Sequence, residues 1–297
     1  MALRPFVQAF SPVFFHINAN GDLVKGIEGV PDGTIGRPVL LVGNHQLFGT
    51  DTPLIIREFL LRKRVLVRGL GHPLLFNGQA PGVPYFPREV DGIDLLDPEK
   101  LVKFGGVEVS PAAIFQLLQR NETVLLYPGG ANELVHNKGE AYMLKWSSKT
   151  DFIRMAAAFN AIVVPFGAIG VDDSFNILLD AKEISELPYF GLRAKRFAAR
   201  LPRARASVPE TFIFPVGFPT PPRRVYVLFQ QPFDTSIIDM NNKSDCRAAY
   251  ANVKRGVEHS IEQLLRLRTK DYYDQYIPRI LYENVFSCQA PTVNKLD

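Results

Sequence analysis

With 297 residues, 46% of them hydrophobic and 22% charged, the chain is long enough to bury a sizeable core as one large α/β domain or two small ones. A net charge of +4 is too small an excess to argue for nucleic acid, though it admits a lipid surface or a phosphorylated donor. Only Cys246 and Cys288 occur, which argues against a disulfide framework or a cysteine-rich metal site and suits a reducing compartment.

The opening MALRPFVQAFSPVFFHI is apolar and aromatic but broken by Pro5 and Pro12. It lacks a signal-peptide cleavage pattern and reads as a segment packing on its own domain, with an interfacial anchor as the alternative. No apolar run approaches the roughly 18 residues of a spanning helix. PVLLV (38–42) is the first strand, and TPLIIREFLLR begins a helix with Thr52 as cap and Pro53 in the first position. RVLVRGL (64–70) is the next strand. In SPAAIFQLLQRN, Ser110 caps, Pro111 opens the helix, and Ile114, Leu117 and Leu118 make its apolar face. TVLLY (123–127) precedes DFIRMAAAFN, where Asp151 caps, Phe152, Met155, Ala156 and Phe159 form the stripe, and Asn160 stops the helix. AIVVPFG (161–167) and RVYVLF (224–229) complete the strands. Between them, 185–210 sets Arg193, Lys195, Arg196, Arg200, Arg203 and Arg205 among Leu and Phe, either a membrane-interface helix or a solvated insertion. From about 245 to 270 a longer helix repeats Val253, Val257, Ile261 and Leu265 at i+4. The alternation predicts a single α/β domain, with a mixed, mostly parallel sheet flanked by helices. Its core spans about 35–235, followed by a helical segment at about 243–285.

The turn after the first strand, LLVGNHQLFGTD (40–51), either carries chemistry or is a turn in which Asp51 or Thr50 caps and His45 is merely polar. Asp51, placed just outside the helix, can accept from one imidazole nitrogen of His45 while the other faces a cleft, which is the base-plus-orienter half of a triad. The chain has no Gly-x-Ser-x-Gly elbow and no cysteine near this histidine, so no covalent intermediate is required. After the TVLLY strand, Gly129 and Gly130 supply backbone N–H groups able to meet an oxyanion, or simply a tight turn. Glu133 organises that loop or caps the segment after it. His72 reads as structural, His136 is open, and His16 and His259 show no partner pattern. The histidine spacing shows no metal site, and GLGHPL is too short for a dinucleotide fingerprint.

Four stretches carry a resemblance. NHQLFGTD (44–51), GVPYFPR (82–88), LLYPGGANE (125–133) and IVVPFG (162–167) resemble, in order, the four blocks of the glycerolipid acyltransferases. The VGNH…G.D turn, RGL.HPLLF, LLYPGG and an HNKGE-like run resemble most closely the plant plastid phytyl ester synthase and diacylglycerol acyltransferase-like branch. The likeness runs from about 11 to 282 and covers the acyltransferase domain only, without the hydrolase-like domain that often precedes it in that branch. It implies a glycerol-3-phosphate acyltransferase-like fold and a plastid location, peripheral to a membrane or lipid globule. It also implies acyl transfer from acyl-CoA or acyl-carrier protein to an alcohol, with no cofactor, with His45 as general base and Asp51 as its orienter. Arg88 would contact phosphate on the donor, and Asn44 and Pro165 would contribute to donor or substrate binding. Two departures stand out. Five residues rather than four separate His45 from Asp51, and Gly129, Gly130, Ala131 and Asn132 replace the third-block Glu-Gly-Thr-Arg. Without the phosphate-binding arginine, a neutral acceptor such as diacylglycerol or phytol is expected. The same site serves a thioester or lipid-ester hydrolase, and a non-catalytic lipid-binding protein of this fold is the third reading.

Overall fold

The β-branched runs become the strands of one twisted sheet, and the amphipathic segments cover it on both faces. The computed structural model describes residues 4–77, 89–90, 93–94, 97–199 and 213–293. In chain order its strands are β1 (Val13–Ile17), β2 (Leu23–Lys25), β3 (Val39–Gly43), β4 (Arg68–Gly71), β5 (Glu89–Val90), β6 (Ile93–Asp94) and β7 (Gly106–Glu108). There follow β8 (Thr123–Leu126), β9 (Ile162–Ile169), β10 (Phe175–Leu179), β11 (Val216–Pro219), β12 (Tyr226–Phe229) and β13 (Phe233–Asp234). The helices are α1 (Arg4–Phe10), α2 (Asp51–Lys63), α3 (Pro98–Lys103), α4 (Pro111–Gln119) and α5 (Ala131–Leu134). After these come α6 (Asp151–Ala158), α7 (Ala181–Glu186), α8 (Phe190–Ala198), α9 (Lys243–Thr269) and α10 (Tyr276–Phe286).

The main sheet runs β2-β1-β12-β9-β3-β8-β4-β7, with β13 added against β9. From β9 to β7 neighbouring strands are parallel, whereas β12 runs antiparallel to β9 and β2 antiparallel to β1. The architecture is thus α/β with a mixed, mostly parallel sheet, and β1 and β2 extend it on the N-terminal side of residue 35. Successive residues of β3 face opposite layers, as the strand period requires. Val39 and Leu41 join α2, Phe10 and Phe166 in one core, while Leu40 and Val42 join α4, α6 and α9 in the other. The aromatic opening packs on its own domain, with Phe10, Phe14 and Phe15 buried.

Several local expectations need correction. α2 begins at Asp51 with Thr50 as N-cap, so Thr52 is no cap and Asp51 lies inside the first turn. The first four N–H groups of a helix lack intrahelical partners, so Pro53 fits any early position and does not mark the start. Likewise Thr150 precedes α6, and Asp151 sits in its first turn, where a carboxylate meets the positive end of the helix. The strand expected from 64 starts at Arg68, because Arg64 closes α2 in a left-handed conformation (φ 60). α4 follows its sequence pattern, with Ser110 Oγ accepting from the Ala113 N–H. In α9 the buried stripe passes from Val253 and Val257 to Ile261, Leu264 and Leu267, leaving Leu265 only partly buried. A strict i+4 series drifts about 40° per step at 3.6 residues per turn, so the buried face must revert to i+3.

Candidate active site

Parallel strands β3, β8 and β9 lie side by side, and the chain crosses from one side of β3 to the other between β8 and β9. The carboxyl ends of strands at such a switch point form a natural crevice. The three segments leaving these ends carry His45, Gly129 to Glu133, and Gly170 to Asp172.

His45 Nδ1 lies 3.1 Å from Asp51 Oδ1. The extra residue of the turn is absorbed by Phe48 (φ 61) and Gly49 (φ 72), two consecutive left-handed residues, so the loop folds back and the pair meets. Asp51 is fully buried, and its Oδ1 also accepts from the Gln46 N–H at 3.2 Å. The imidazole stacks on Tyr127, ring centroids 3.9 Å apart and planes within 6°. A Cβ at Gly49 would stand 3.2 Å from His45 Cε1 and 3.4 Å from Nε2, so the bare glycine makes room for the far edge of the ring. The side chain retains 12% exposure, unlike its partner. The Tyr127 hydroxyl accepts from Thr52 Oγ1 at 3.2 Å and lies close to the Asp51 carboxylate, whose Oδ2 makes no well-formed hydrogen bond among the described residues. Burial and that carboxylate push the phenol well above its ordinary range, so it stays neutral.

Glu133 ties two loops together. Its Oε2 accepts from the His45 N–H and its Oε1 from the Lys145 N–H, both at 2.9 Å. Burial pushes this carboxyl up to about 7, against the pull of the two N–H donors and of His45. Gly129 must be glycine because a Cβ there would overlap the Glu133 carboxyl at 2.2 Å. Gly130 (φ 51) has open space where its Cβ would be. The loop is less rich in spare donors than its composition suggests. The N–H groups of Gly130, Asn132 and Glu133 donate to Tyr127 O, Gly129 O and Gly130 O, because the loop closes as successive turns. This corrects Gly130 as an N–H donor for an oxyanion.

A second bracing group is not apparent from the sequence. The Gln46 side chain is fully buried; its Nε2 donates to Ala168 O at 2.5 Å and its Oε1 accepts from Val171 N–H at 3.1 Å. Asp172 Oδ1 accepts from Leu47 N–H at 2.7 Å, and His136 Nε2 stands 3.4 Å from Asp172 Oδ2. Burial disfavours the charged imidazole of His136, yet Asp172 and the Asn137 carbonyl outweigh it and raise its pKa. Tyr127, at the end of a predicted strand, and Gln46, beside His45, were findable by position. Nothing in the sequence signals Asp172.

The remaining candidates are scattered. Asn44 is spent on the backbone, its Nδ2 donating to Ala168 O at 2.9 Å and its Oδ1 accepting from Ala168 N–H at 2.8 Å. With both ends of the amide occupied, it is not placed to bind substrate. Pro165 packs against Gly256 of α9 and lines a surface groove of about 430 Å³ with Arg255 and His259. None of the groove's lining residues belongs to the His45 cluster. Arg88 and the GVPYFPR block lie outside the described residues. His72 Nδ1 accepts from Leu74 N–H as a helix cap, and His16 Nδ1 pairs with Gly26 O. Among the described residues no group of His, Cys, Asp and Glu is arranged to hold a metal ion.

No protein-family model matches the chain. It is 35% identical over 283 residues to phytyl ester synthase 1, chloroplastic, of Arabidopsis thaliana, covering 92% of this chain and 38% of that protein. To phytyl ester synthase 2, chloroplastic, of the same plant it is 32% identical over 298 residues, covering 97% and 41%. The chain therefore spans about two fifths of the length of the curated relatives it matches. Among solved structures it is similar to the 1-acyl-sn-glycerophosphate (LPA) acyltransferase PlsC from Thermotoga maritima, with a TM-score of 0.41 and 14% identity over 86% of this chain and 73% of that one. A likeness that distant carries no functional argument. The chain is thus similar, over nearly its whole length, to part of two chloroplast phytyl ester synthases.

Proposed function

We propose that this chain is an acyltransferase that moves a fatty acyl group from an acyl thioester, on coenzyme A or acyl-carrier protein, to the hydroxyl of a neutral lipid such as diacylglycerol or phytol. The observation that carries the proposal is the imidazole of His45, oriented by Asp51 at 3.1 Å, stacked on Tyr127 and still partly exposed. In this reading His45 Nε2 takes the hydroxyl proton as the alcohol oxygen attacks the thioester carbonyl carbon. Asp51 stabilises the resulting imidazolium. The carbon–sulfur bond then breaks, and the departing thiolate receives the proton from His45. With the Gly130 N–H engaged in the turn, the N–H groups of Gly129 and Ala131 are the remaining loop donors for the oxyanion. Glu133 holds the His45 and Gly129 loops in register.

A neutral acceptor is favoured by the cations near the loop as well as by its sequence. Lys138 pairs with Glu183, and Lys145 pairs with Glu140, so neither stands as a ready phosphate ligand. The relatives' names place them in chloroplasts, and we extend that location to this chain, peripheral to a membrane or lipid globule.

The test offers the purified chain labelled acyl-CoA and acyl-carrier protein with a panel of acceptor alcohols, read by mass spectrometry. Ester is expected from the native chain, and His45→Ala should lower its formation by about two to four orders of magnitude. Full activity in His45→Ala ends this reading, and free fatty acid as the sole product at every acceptor concentration replaces it with a hydrolase.

A further inference from the structure

Between β9 and β12 the chain leaves the main sheet to build the antiparallel β10–β11 pair and, between those two strands, the α7–α8 pair. The inner side of this excursion is tied to the site. Phe175, Ile177 and Phe214 pack with Leu47 and Phe48, the residues that follow His45 closely in its turn, and the Phe48 and Phe175 rings meet edge-on at 5.2 Å. The outer side is different. Leu178, Val216 and Phe218 are about half exposed, and at the α7–α8 corner Tyr189 and Phe190 are 89% and 72% exposed, with Leu192 close behind. Single exposed hydrophobic residues are ordinary, but seven large ones on one excursion, Leu187 included, mark an interaction surface. Tyr189 is also held at φ 62, a left-handed conformation unfavourable for an aromatic residue.

Charge selects the occupant. α8 carries Arg193, Lys195 and Arg196, all exposed, and no acid. On α7, Glu183 is committed to Lys138 and to the capping box with Asp180, leaving Glu186 as its exposed acid. A second copy of the chain would set these cations against their own kind, whereas an anionic bilayer meets them with lipid phosphates. We propose that the β10–β11 and α7–α8 excursion docks on an anionic lipid surface, with Tyr189 and Phe190 entering the headgroup boundary and Arg193, Lys195 and Arg196 contacting the phosphates. This deepens the peripheral-membrane part of the proposed function and rests on it, since the apolar layer under the docked surface leads to Leu47 and Phe48 beside His45.

The test is co-sedimentation with vesicles of phosphatidylglycerol in phosphatidylcholine, compared with phosphatidylcholine alone. Turnover is not scored, so docking and acyl transfer can fail separately. Stronger, salt-sensitive binding to the anionic vesicles is expected, weakened about five-fold for each of Arg193, Lys195 and Arg196 changed to Gln. The double variant Tyr189→Ser, Phe190→Ser should weaken it at least ten-fold, on the order of the apolar area withdrawn. Thermal unfolding checks that these exposed changes leave the fold intact. Equal binding to both vesicle types, or binding unchanged in both variants, overturns the proposal. So does a dimer in sedimentation velocity that the Tyr189→Ser, Phe190→Ser change abolishes while no vesicle is bound.

Discussion

Two of the buried polar networks among the described residues differ in how completely they are closed. In the first, Arg224 is fully buried and each nitrogen of its guanidinium has a partner: Nε donates to Ser11 O, Nη1 to Asp271 and to Pro291 O, and Nη2 to Ala290 O. Asp271 in turn accepts from Tyr226, Thr292 and the Tyr273 N–H. That network staples the N-terminal segment and the C-terminal tail to β12. In the second, around His45, Asp51 keeps an oxygen without a well-formed hydrogen bond, Glu133 is lifted to about 7, and the imidazole keeps an exposed edge. A saturated network has no capacity left for a ligand. An unsaturated one with an accessible proton carrier can do chemistry, and it is held in place by neighbours such as Gln46 and Asn44 that are saturated.

The sharpest way to break this contrast is to remove one member from each side. His45→Ala should cost about two to four orders of magnitude in turnover and about 1–3 kcal/mol in unfolding free energy, since buried Asp51 loses a hydrogen bond. Arg224→Met should do the reverse, losing about 3–5 kcal/mol in urea unfolding because Asp271 is left as a buried charge without its cation, while turnover per folded molecule holds. If Arg224→Met abolishes turnover at full stability, the division between the networks is false.

Glu133 sharpens the comparison through pH. Its carboxyl is raised to about 7 in the folded chain from 4.5, so between those values the folded state holds a proton that the unfolded state has released. Stability should therefore fall as pH rises from about 4.5 to about 7 and level off at higher pH, by on the order of 3 kcal/mol in all. Glu133→Gln should flatten that slope in unfolding curves taken across the range. His136, also raised, works in the same direction: its contribution is present below its ordinary 6.5 and is lost as pH passes through its folded value. The smallest effect is expected from Asn44→Ala, about 1–3 kcal/mol by denaturant unfolding, since it strips the Ala168 N–H of its partner while Gln46 still serves the Ala168 carbonyl.

Much of this is legible in the sequence, for local reasons. Ser110, Pro111 and the Ile114, Leu117 and Leu118 face specify α4 within one short window, and the structure agrees. His45 and Asp51 stand out because a turn has no need of an imidazole and a carboxylate together. The start of α2 differs from its sequence pattern because Pro53 fits several early positions equally well. Gln46 and Asp172 are invisible as partners because the loops that join them lie far apart in the chain. Arg224 reads as an ordinary strand-flanking cation; its complete burial depends on the returning tail at Ala290 and Pro291.

The sequence by itself determined the alternation of strands and helices, the cores on the two faces of the sheet, and the identity of the one histidine set beside an acid in a glycine-bearing turn. These arise from periodicity and backbone preference, which act over a few residues. Only the tertiary structure decided that Tyr127 stacks on that histidine, that Glu133 and Gln46 fix its loop, that Asn44 is spent on Ala168, and that Tyr189 and Phe190 are exposed. Those outcomes depend on which strand ends converge and which buried polar groups find partners there, and that is settled by packing across the whole chain.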